Sequence, residues 1–273
     1  MNDYMLIRRL GTGGTSTVYL GADKRSGEKF AIKKYENDKM FSMAEKELDL
    51  MSSLNHPAIP KIRELICEGE TRYAVMEYVV GNTMKEILLR EQRICEERAV
   101  KWGIELCDVL SYLHRRIPPV VYRDVKPANI ILSPVLHVRL IDFGAAVTPY
   151  IVKAGEKEIV EIEPVGTPGY APPEQFETGV EMDGRADIYA LGATLHYMLT
   201  GIHPSTSSAP YDHVRKANQR VSGGMKQILM KCLEPDREKR YHYCEEVKED
   251  LEHISFPGHK RKRLYITRSE VWC

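Results

Sequence analysis

The chain has 273 residues, of which 43% are hydrophobic, which is enough for one large domain or for two lobes that share a cleft. Its 39 lysines and arginines balance 39 aspartates and glutamates, so no overall field would hold it on nucleic acid or on an anionic membrane. The six cysteines are scattered, without a C-x-x-C pair or a His/Cys cluster, which argues against a disulfide framework and against a zinc site.

The first part of the chain has the pattern of β-strands broken by glycines. The strands are predicted over 4–10, 18–22, 29–35, 62–67 and 72–78. Residues 40–54 instead repeat with a helical period, which places Glu47 on the same face as the apolar Leu50 and Met51. This part therefore predicts a small strand-rich unit with one helix.

Beyond Gly81 the hydrophobic pattern becomes helical. Helices are predicted over 96–116, 185–200, 223–233 and 243–253. The chain therefore divides into a strand-rich part, a helix-rich part and a short tail, over 1–80, 81–256 and 257–273.

A glycine-rich segment lies between the first two predicted strands. Gly11, Gly13 and Gly14 would let backbone amides approach a polyphosphate that side chains would otherwise exclude. Taken alone, the segment fits a plain glycine-rich hairpin equally well. A nucleotide-binding βαβ unit fits less well, because a strand and not a helix follows the glycines.

Lys33 ends an apolar run in the third predicted strand. A buried ammonium is costly unless an anion meets it, and two anions are available, a nucleotide phosphate and the Glu47 carboxylate. The alternative is that the flexible Lys33 side chain reaches solvent at the strand edge.

Residues 121–129 concentrate a carboxylate, two cations and an amide in a short loop between a predicted helix and a predicted strand. Its polar groups include Asp124, Lys126 and Asn129. Asp142 then follows a strand predicted over 138–141, where a carboxylate is a suitable ligand for Mg²⁺. The order and spacing of these motifs make a chance occurrence implausible.

In this order, the motifs resemble those of the protein kinase family, in its eukaryotic-type Ser/Thr branch. The resemblance implies an α+β, bilobal fold, with a small antiparallel-sheet N-lobe with one helix over 1–80 and a larger, mostly helical C-lobe over 81–256. It implies transfer of the γ-phosphate of ATP, with Mg²⁺ or Mn²⁺, to Ser/Thr hydroxyls of protein substrates, including the kinase itself. The amino-acid sequence of residues 166–175 is more typical of the bacterial members of the family.

The resemblance also implies roles for individual residues. Asp124 would orient or deprotonate the substrate hydroxyl, and Lys126 would contact the γ-phosphate. Thr167 would contact the side chains of both Asp124 and Lys126. Lys33 would act on the phosphates, and Asn129 and Asp142 would bind the metal. The residues implied in nucleotide binding are Gly11, Gly13, Gly14, Ser16, Val18, Ala31, Lys33, Glu47, Met76, Glu77 and Val79.

The sequence departs from the family pattern at two positions of the cleft. Ser16 stands where the third loop glycine is usual, and Tyr122 stands where a histidine is usual. Three other residues are predicted to be structural, namely Glu174, Arg240 and Asp187. Glu174 would form an ion pair with Arg240, and Asp187 would hold the backbone of the loop over 121–129, the catalytic loop.

A pseudokinase and a small-molecule kinase are the two alternative functions. A pseudokinase, used as a nucleotide-binding scaffold, is disfavoured because Lys33, Asp124 and Asp142 are all present. A small-molecule kinase on a related fold is disfavoured because Thr167 and the Pro-Glu pair before Gln175 are present.

Arg123 suggests a form of regulation. In relatives, the arginine at this position commonly receives a phosphate on a threonine four residues before the one that matches Thr167, and Glu163 stands there. Residues 151–165 contain no Ser, Thr or Tyr. The hypothesis is that the Glu163 carboxylate supplies a built-in anion to Arg123; the alternative is a solvated, charged loop.

The tail carries a basic run over 259–263 that resembles the juxtamembrane segment of bacterial receptor-type kinases, although a solvated tail is the simpler interpretation. No stretch approaches the roughly 20 apolar residues of a membrane span, and the amino terminus has no signal-peptide pattern. We therefore expect a soluble, cytoplasmic protein, or a domain at the cytoplasmic face of the membrane if it belongs to a longer chain. The expected partners are ATP and protein substrates, without nucleic acid.

Overall fold

The computed structural model describes residues 1–12, 16–35, 38–153, 156–160, 162–206 and 221–256. The predicted tail and the glycines Gly13 and Gly14 lie outside these ranges. Within them, no helix has both the length and the apolar character of a membrane-spanning segment.

The amino-terminal part is an antiparallel sheet of five strands covered by one helix. The strands are β1 (Tyr4–Thr12), β2 (Thr17–Asp23), β3 (Lys29–Tyr35), β4 (Ile62–Glu68) and β5 (Thr71–Glu77), and the helix is α1 (Asp38–Ser52). They are hydrogen-bonded in the order β1-β2-β3-β5-β4. The predicted bounds of β3 agree with the structure, and those of the other elements differ by a few residues at their ends.

Alternation along β3 sets which residues face the helix. Phe30 and Ile32 are buried on one face, in a cluster with Tyr4 and Val75. Tyr35 lies on the opposite face, in a cluster with residues of α1. Because side chains alternate with a period of two, Lys33 shares the face of Tyr35 and points toward α1.

The remainder of the chain is mostly helical, with two small sheets. The strands are β6 (Asn82–Thr83), β7 (Ile130–Leu132), β8 (Val138–Leu140), β9 (Tyr150–Lys153) and β10 (Glu156–Ile159). The helices are α2 (Met84–Glu91), α3 (Glu96–His114), α4 (Arg185–Thr200), α5 (Gly223–Cys232) and α6 (Cys244–Glu252). Strands β6, β7 and β8 form one sheet, and β9 pairs with β10 in another.

Helix α4 is the centre of the helical part. Its predicted bounds agree with the structure, and 14 of its 16 residues are buried. Gly201 caps its C-terminal end, with a φ of 71° that suits a residue without Cβ. A helix that is buried on all sides offers fixed attachment points to the loops around it.

The predicted α+β architecture of two lobes is confirmed. We propose that the lobes divide at residues 80 and 81, because β5 ends at Glu77 and β6 begins at Asn82. Helix α2, strand β6 and the β9–β10 pair were not predicted. Helix α2 begins with a capping box, in which Thr83 and Glu86 satisfy each other's backbone N–H groups.

Candidate active site

Polar side chains from both lobes meet in the cleft between them. Strand β3 and helix α1 contribute from the sheet side, and the loop over 121–129 and residues 142–144 contribute from the helical side. We call the group formed by Lys33, Glu47 and Asp142 the phosphate end, and the group formed by Asp124, Lys126 and Thr167 the reacting end.

At the phosphate end, Lys33 is buried between two carboxylates. Its Nζ lies 2.8 Å from both carboxylate oxygens of Glu47 and 2.8 Å from Oδ1 of Asp142. Burial lowers the pKa of Lys33, but the Glu47 and Asp142 carboxylates outweigh burial and raise it above its ordinary value. The Lys33 side chain is only 6% exposed, so it does not end in solvent.

Tyr35 also belongs to this cluster, although it was not predicted as a site residue. Its hydroxyl donates to Oε2 of Glu47 at 2.9 Å. Since Tyr35 and Lys33 are two residues apart on one strand, both side chains reach the same carboxylate. Glu47 is therefore held by two donors on β3.

Asp142 joins the two lobes while keeping part of its carboxylate accessible. Its side chain is 50% exposed, and its backbone has a φ of 64°, which is uncommon for a residue with Cβ. Burial would raise the pKa of Asp142, but the Lys33 ammonium and the Gly144 N–H lower it below its ordinary value. The carboxylate is therefore ionised at neutral pH.

Asn129 and Asp142 offer oxygen ligands to a divalent cation. The Asn129 amide nitrogen donates to Oδ2 of Asp124 at 2.7 Å, which turns its carbonyl oxygen toward other partners. Across the described ranges, no group of three His, Cys, Asp or Glu side chains forms an all-protein metal cage. Two oxygen ligands fit a cation that completes its shell with phosphate oxygens and water.

At the reacting end, three side chains form a closed hydrogen-bonded triangle. The Thr167 hydroxyl donates to Oδ1 of Asp124 at 2.7 Å. Lys126 Nζ lies 2.8 Å from Oδ2 of Asp124 and 2.9 Å from the Thr167 hydroxyl oxygen. The arrangement holds the Asp124 carboxylate next to a cation and fixes its direction.

Helix α4 holds the backbone of the loop that carries Asp124. The buried Asp187 carboxylate accepts from the N–H groups of Tyr122 and Arg123 at 2.8 and 2.7 Å. Arg123 has a φ of 64°, and such a conformation persists only where its surroundings impose it. Thr194, also on α4, donates to the carbonyl of Val125 at 3.1 Å.

Tyr122, in place of the usual histidine, is buried behind the site. Its hydroxyl donates to the carbonyl of Ile141. Its ring meets that of Phe143 edge to face, with centroids 5.0 Å apart. Tyr122 therefore connects the loop of Asp124 to the segment of Asp142.

The residues expected around the nucleotide base lie on β2, β3, β5 and the segment after it. Ala31 is paired with Met76 in the sheet, and Val18 is paired with Lys33. The Glu77 carboxylate lies 2.7 Å from Arg139, so this side chain is already engaged in an ion pair. Val79 is buried directly after β5.

Contact between Arg123 and residue 163 occurs through the main chain. The Arg123 guanidinium donates from Nη1 to the carbonyl oxygen of Glu163 at 3.0 Å and from Nε to that of Ala145 at 2.8 Å. The Glu163 side chain is exposed. This hydrogen bond comes from a carbonyl that any residue at position 163 would supply. Burial lowers the pKa of Arg123, and the Asp187, Asp124 and Glu163 carboxylates act against that shift. The Glu163 charge therefore reaches Arg123 without a hydrogen bond, and its role as a built-in anion stays a hypothesis.

Glu174 and Arg240 form a buried, two-pronged ion pair. Arg240 Nη1 donates to Oε1 of Glu174 at 2.5 Å, and Arg240 Nη2 donates to Oε2 of Glu174 at 2.9 Å. Arg240 also donates to the carbonyls of Glu234, Pro235 and Arg185. This pair fixes the turn Pro173–Phe176 to the base of the helical lobe.

Three further contacts behind the reacting end, one made by His114 and two by Gln175, were not predicted. His114 Nε2 lies 2.8 Å from the Asp187 carboxylate, and the Gln175 amide bridges Arg123 and Val165. Their partners lie 73, 52 and 10 residues away in the sequence. Local pattern carries little information about such distant contacts.

Comparison with known proteins agrees with this geometry. The family described as protein kinase domain matches residues 4–251. The chain is 33% identical over 269 residues to the serine/threonine-protein kinase PknB of Mycobacterium tuberculosis, with 91% of this chain and 42% of that protein covered. It is 32% identical over 269 residues to a protein named probable serine/threonine-protein kinase from Streptomyces coelicolor, with 91% and 39% covered.

A protein with the same description from Clostridium perfringens is 29% identical over 269 residues, with 93% of this chain and 38% of that protein covered. The chain thus spans about two fifths of the length of these curated relatives. All three come from bacteria, which confirms the bacterial affinity predicted from residues 166–175.

Proposed function

The chain belongs to the protein kinase family, in its bacterial, eukaryotic-type Ser/Thr branch, and we propose that it transfers the γ-phosphate of Mg-ATP to Ser/Thr hydroxyls of protein substrates, including its own. The observation that carries the proposal is the closed triangle of Asp124, Lys126 and Thr167. It lies in the same cleft as the ion pair of Lys33 and Glu47.

Each group has a role that follows from its charge and position. Asp124 accepts a hydrogen bond from the attacking hydroxyl, orients it and takes up its proton while the new oxygen–phosphorus bond forms. The bond between the γ-phosphorus and the oxygen of the β-phosphate breaks in the same step, and ADP leaves. Lys126, at the same carboxylate, neutralises charge on the transferred phosphoryl group. Lys33, held by Glu47, neutralises charge at the other end of the nucleotide phosphates.

The metal would be held by Asp142 and Asn129, with Mg²⁺ favoured and Mn²⁺ as an alternative. When bound, it neutralises the phosphate oxygens. The half-exposed, ionised Asp142 carboxylate suits this role, since Lys33 occupies one oxygen of the carboxylate.

The proposed setting is the cytoplasm, or the cytoplasmic face of a membrane, where ATP is available. The five cysteines within the described ranges are all free thiols, in keeping with a reducing compartment. The basic run over 259–263, predicted to be juxtamembrane or solvated, lies outside the described residues.

The first test is transfer of labelled phosphate from Mg-ATP to the protein itself and to a generic basic protein. Asp124→Asn is expected to lower kcat by about a hundredfold or more, since it removes the positioning carboxylate, and to leave Mg-ATP binding intact. Asp49→Asn, an exposed change on α1, is the matched control. A wild type that binds Mg-ATP but transfers nothing would support the pseudokinase alternative instead.

A further inference from the structure

Gln175 occupies an unusual position at the back of the reacting end. It lies in the turn Pro173–Phe176 and is 1% exposed. The preceding residue, Glu174, is fixed by its ion pair with Arg240. The backbone that carries Gln175 is therefore anchored to the helical lobe.

The Gln175 amide joins the two segments that meet at the reacting end. Its Nε2 donates to the carbonyl oxygen of Arg123 at 2.9 Å and to that of Val165 at 2.6 Å. Arg123 directly precedes Asp124, and Val165 lies two residues before Thr167. Since both partners are carbonyls, which only accept, the amide nitrogen and not the oxygen must face them.

The amide is poorly explained by packing alone. Among the described residues, Gln175 Oε1 is buried without a hydrogen-bond partner, and such an orphan is costly. An apolar side chain of the same length would fill this space without that cost. What the amide adds is its pair of donated hydrogen bonds.

The neighbouring Gly166 shows how closely residues 165–167, which we call the activation segment, pack on this amide. A Cβ on Gly166 would lie 2.9 Å from Gln175 Nε2 and 2.6 Å from the Cβ of Ala171. Gly166 thus lets the main chain between Val165 and Thr167 pass directly over the Gln175 amide.

The geometry points to Gln175 as a positioning residue that fastens the activation segment to the catalytic loop, so that Thr167 and Asp124 stay in hydrogen-bond contact. This inference rests on the proposed kinase function and extends it to a residue that contacts neither substrate nor nucleotide. The two donated bonds act on main-chain atoms, so they operate without any modification of the segment.

The test compares wild type with Gln175→Met, which keeps the length but removes both donors, and Gln175→Glu, which turns a carboxylate toward two carbonyl oxygens. Glu177→Gln, exposed and two residues further along, is the control. Gln175→Met is expected to lower kcat for a Ser/Thr peptide by about tenfold, and Gln175→Glu by more. In Gln175→Met, KM for ATP and Tm should stay at the wild-type values.

Hydrogen exchange supplies a readout that needs no catalysis. The N–H groups of Tyr170 and Ala171 both donate to the Thr167 carbonyl at 3.0 Å. In the nucleotide-free protein, their exchange is expected to accelerate about tenfold in Gln175→Met, and to stay unchanged in Glu177→Gln.

The outcomes separate the two proposals. If Gln175→Met matches wild type in kcat and in exchange, the inference is overturned while the kinase function stands. A fall in kcat that comes with equal losses of Tm and ATP affinity also overturns it, because that pattern indicates a general structural role. If the wild type transfers no phosphate, the proposed function fails, and the exchange rates alone decide the positioning role.

Discussion

The two ends of the cleft hold their charged groups by different means. At the phosphate end, Lys33, Glu47 and Asp142 come from three separate elements and are joined mainly to one another. At the reacting end, Asp124 and Lys126 share one loop, whose backbone is tied to buried groups of α4.

This difference separates activity from stability. The groups of the phosphate end lie on α1, on β3 and in residues 142–144, so their contacts depend on how these three parts of the chain sit relative to one another. The reacting end cannot come apart without breaking bonds to buried groups such as Asp187. We therefore expect changes at the phosphate end to reduce catalysis in a folded protein, and loss of a buried charge that anchors the helical lobe behind the reacting end, such as Arg240, to reduce stability.

The largest effect is expected from Arg240→Met, which leaves the Glu174 carboxylate buried and unpaired. The free energy of unfolding should fall by about 3–5 kcal/mol, which corresponds to a fall in Tm of about 10 °C. Urea and thermal unfolding measure both quantities.

The double variant Glu174→Leu, Arg240→Met is the control for the charge itself. It should recover part of the stability that Arg240→Met loses, because it no longer buries a lone carboxylate. Single and double variants of equal stability would show that the pair is not coupled.

The next effect is expected from Lys33→Met at the phosphate end. The change removes the cation shared by Glu47 and Asp142, and kcat/KM for Mg-ATP should fall by about a hundredfold. Steady-state kinetics and circular dichroism on the same sample distinguish lost catalysis from lost folding.

Lys29→Met is the matched control, since Lys29 lies exposed at the start of the same strand. It should keep wild-type kinetics. A Lys33→Met protein that is unfolded, or as active as wild type, would contradict the contrast drawn between the two ends.

The smallest effect is expected from Glu163→Ala. Because Arg123 hydrogen-bonds the main-chain carbonyl of residue 163 and the exposed Glu163 carboxylate acts on it only through its charge, activity should stay within about twofold of wild type. Phosphate-transfer rates of the unphosphorylated protein provide the measurement. A loss of tenfold or more would support the hypothesis that the Glu163 carboxylate acts as a built-in anion.

Much of the fold followed from local pattern. Strand β3 and helix α4 have the bounds predicted from their hydrophobic patterns, because each has one clear period or one continuous apolar run. Helix α2 was missed although its capping box was present at Thr83 and Glu86. Its start signal was available, but its short apolar stripe carried less weight than the surrounding glycine and polar residues.

The site was predictable where a residue's role depends on its motif. The helical period placed Glu47 inward, and the structure brings it to Lys33. Tyr35 and Gln175 were not predicted, because the one hydrogen bond of Tyr35 and the two of Gln175 reach partners that only the fold brings near. The charge of Glu163 can be read from the sequence. That Arg123 hydrogen-bonds the main-chain carbonyl of residue 163 cannot, because every residue carries such a carbonyl.

The burial of helix α4 has a further consequence for the folding of the protein. Because 14 of its 16 residues are buried, the helix has no polar face with which to stand alone in water. Asp187 therefore becomes available to the loop of Asp124 only when the helical lobe has closed around it. A nascent or partly unfolded chain therefore lacks the two hydrogen bonds by which Asp187 holds the backbone of this loop.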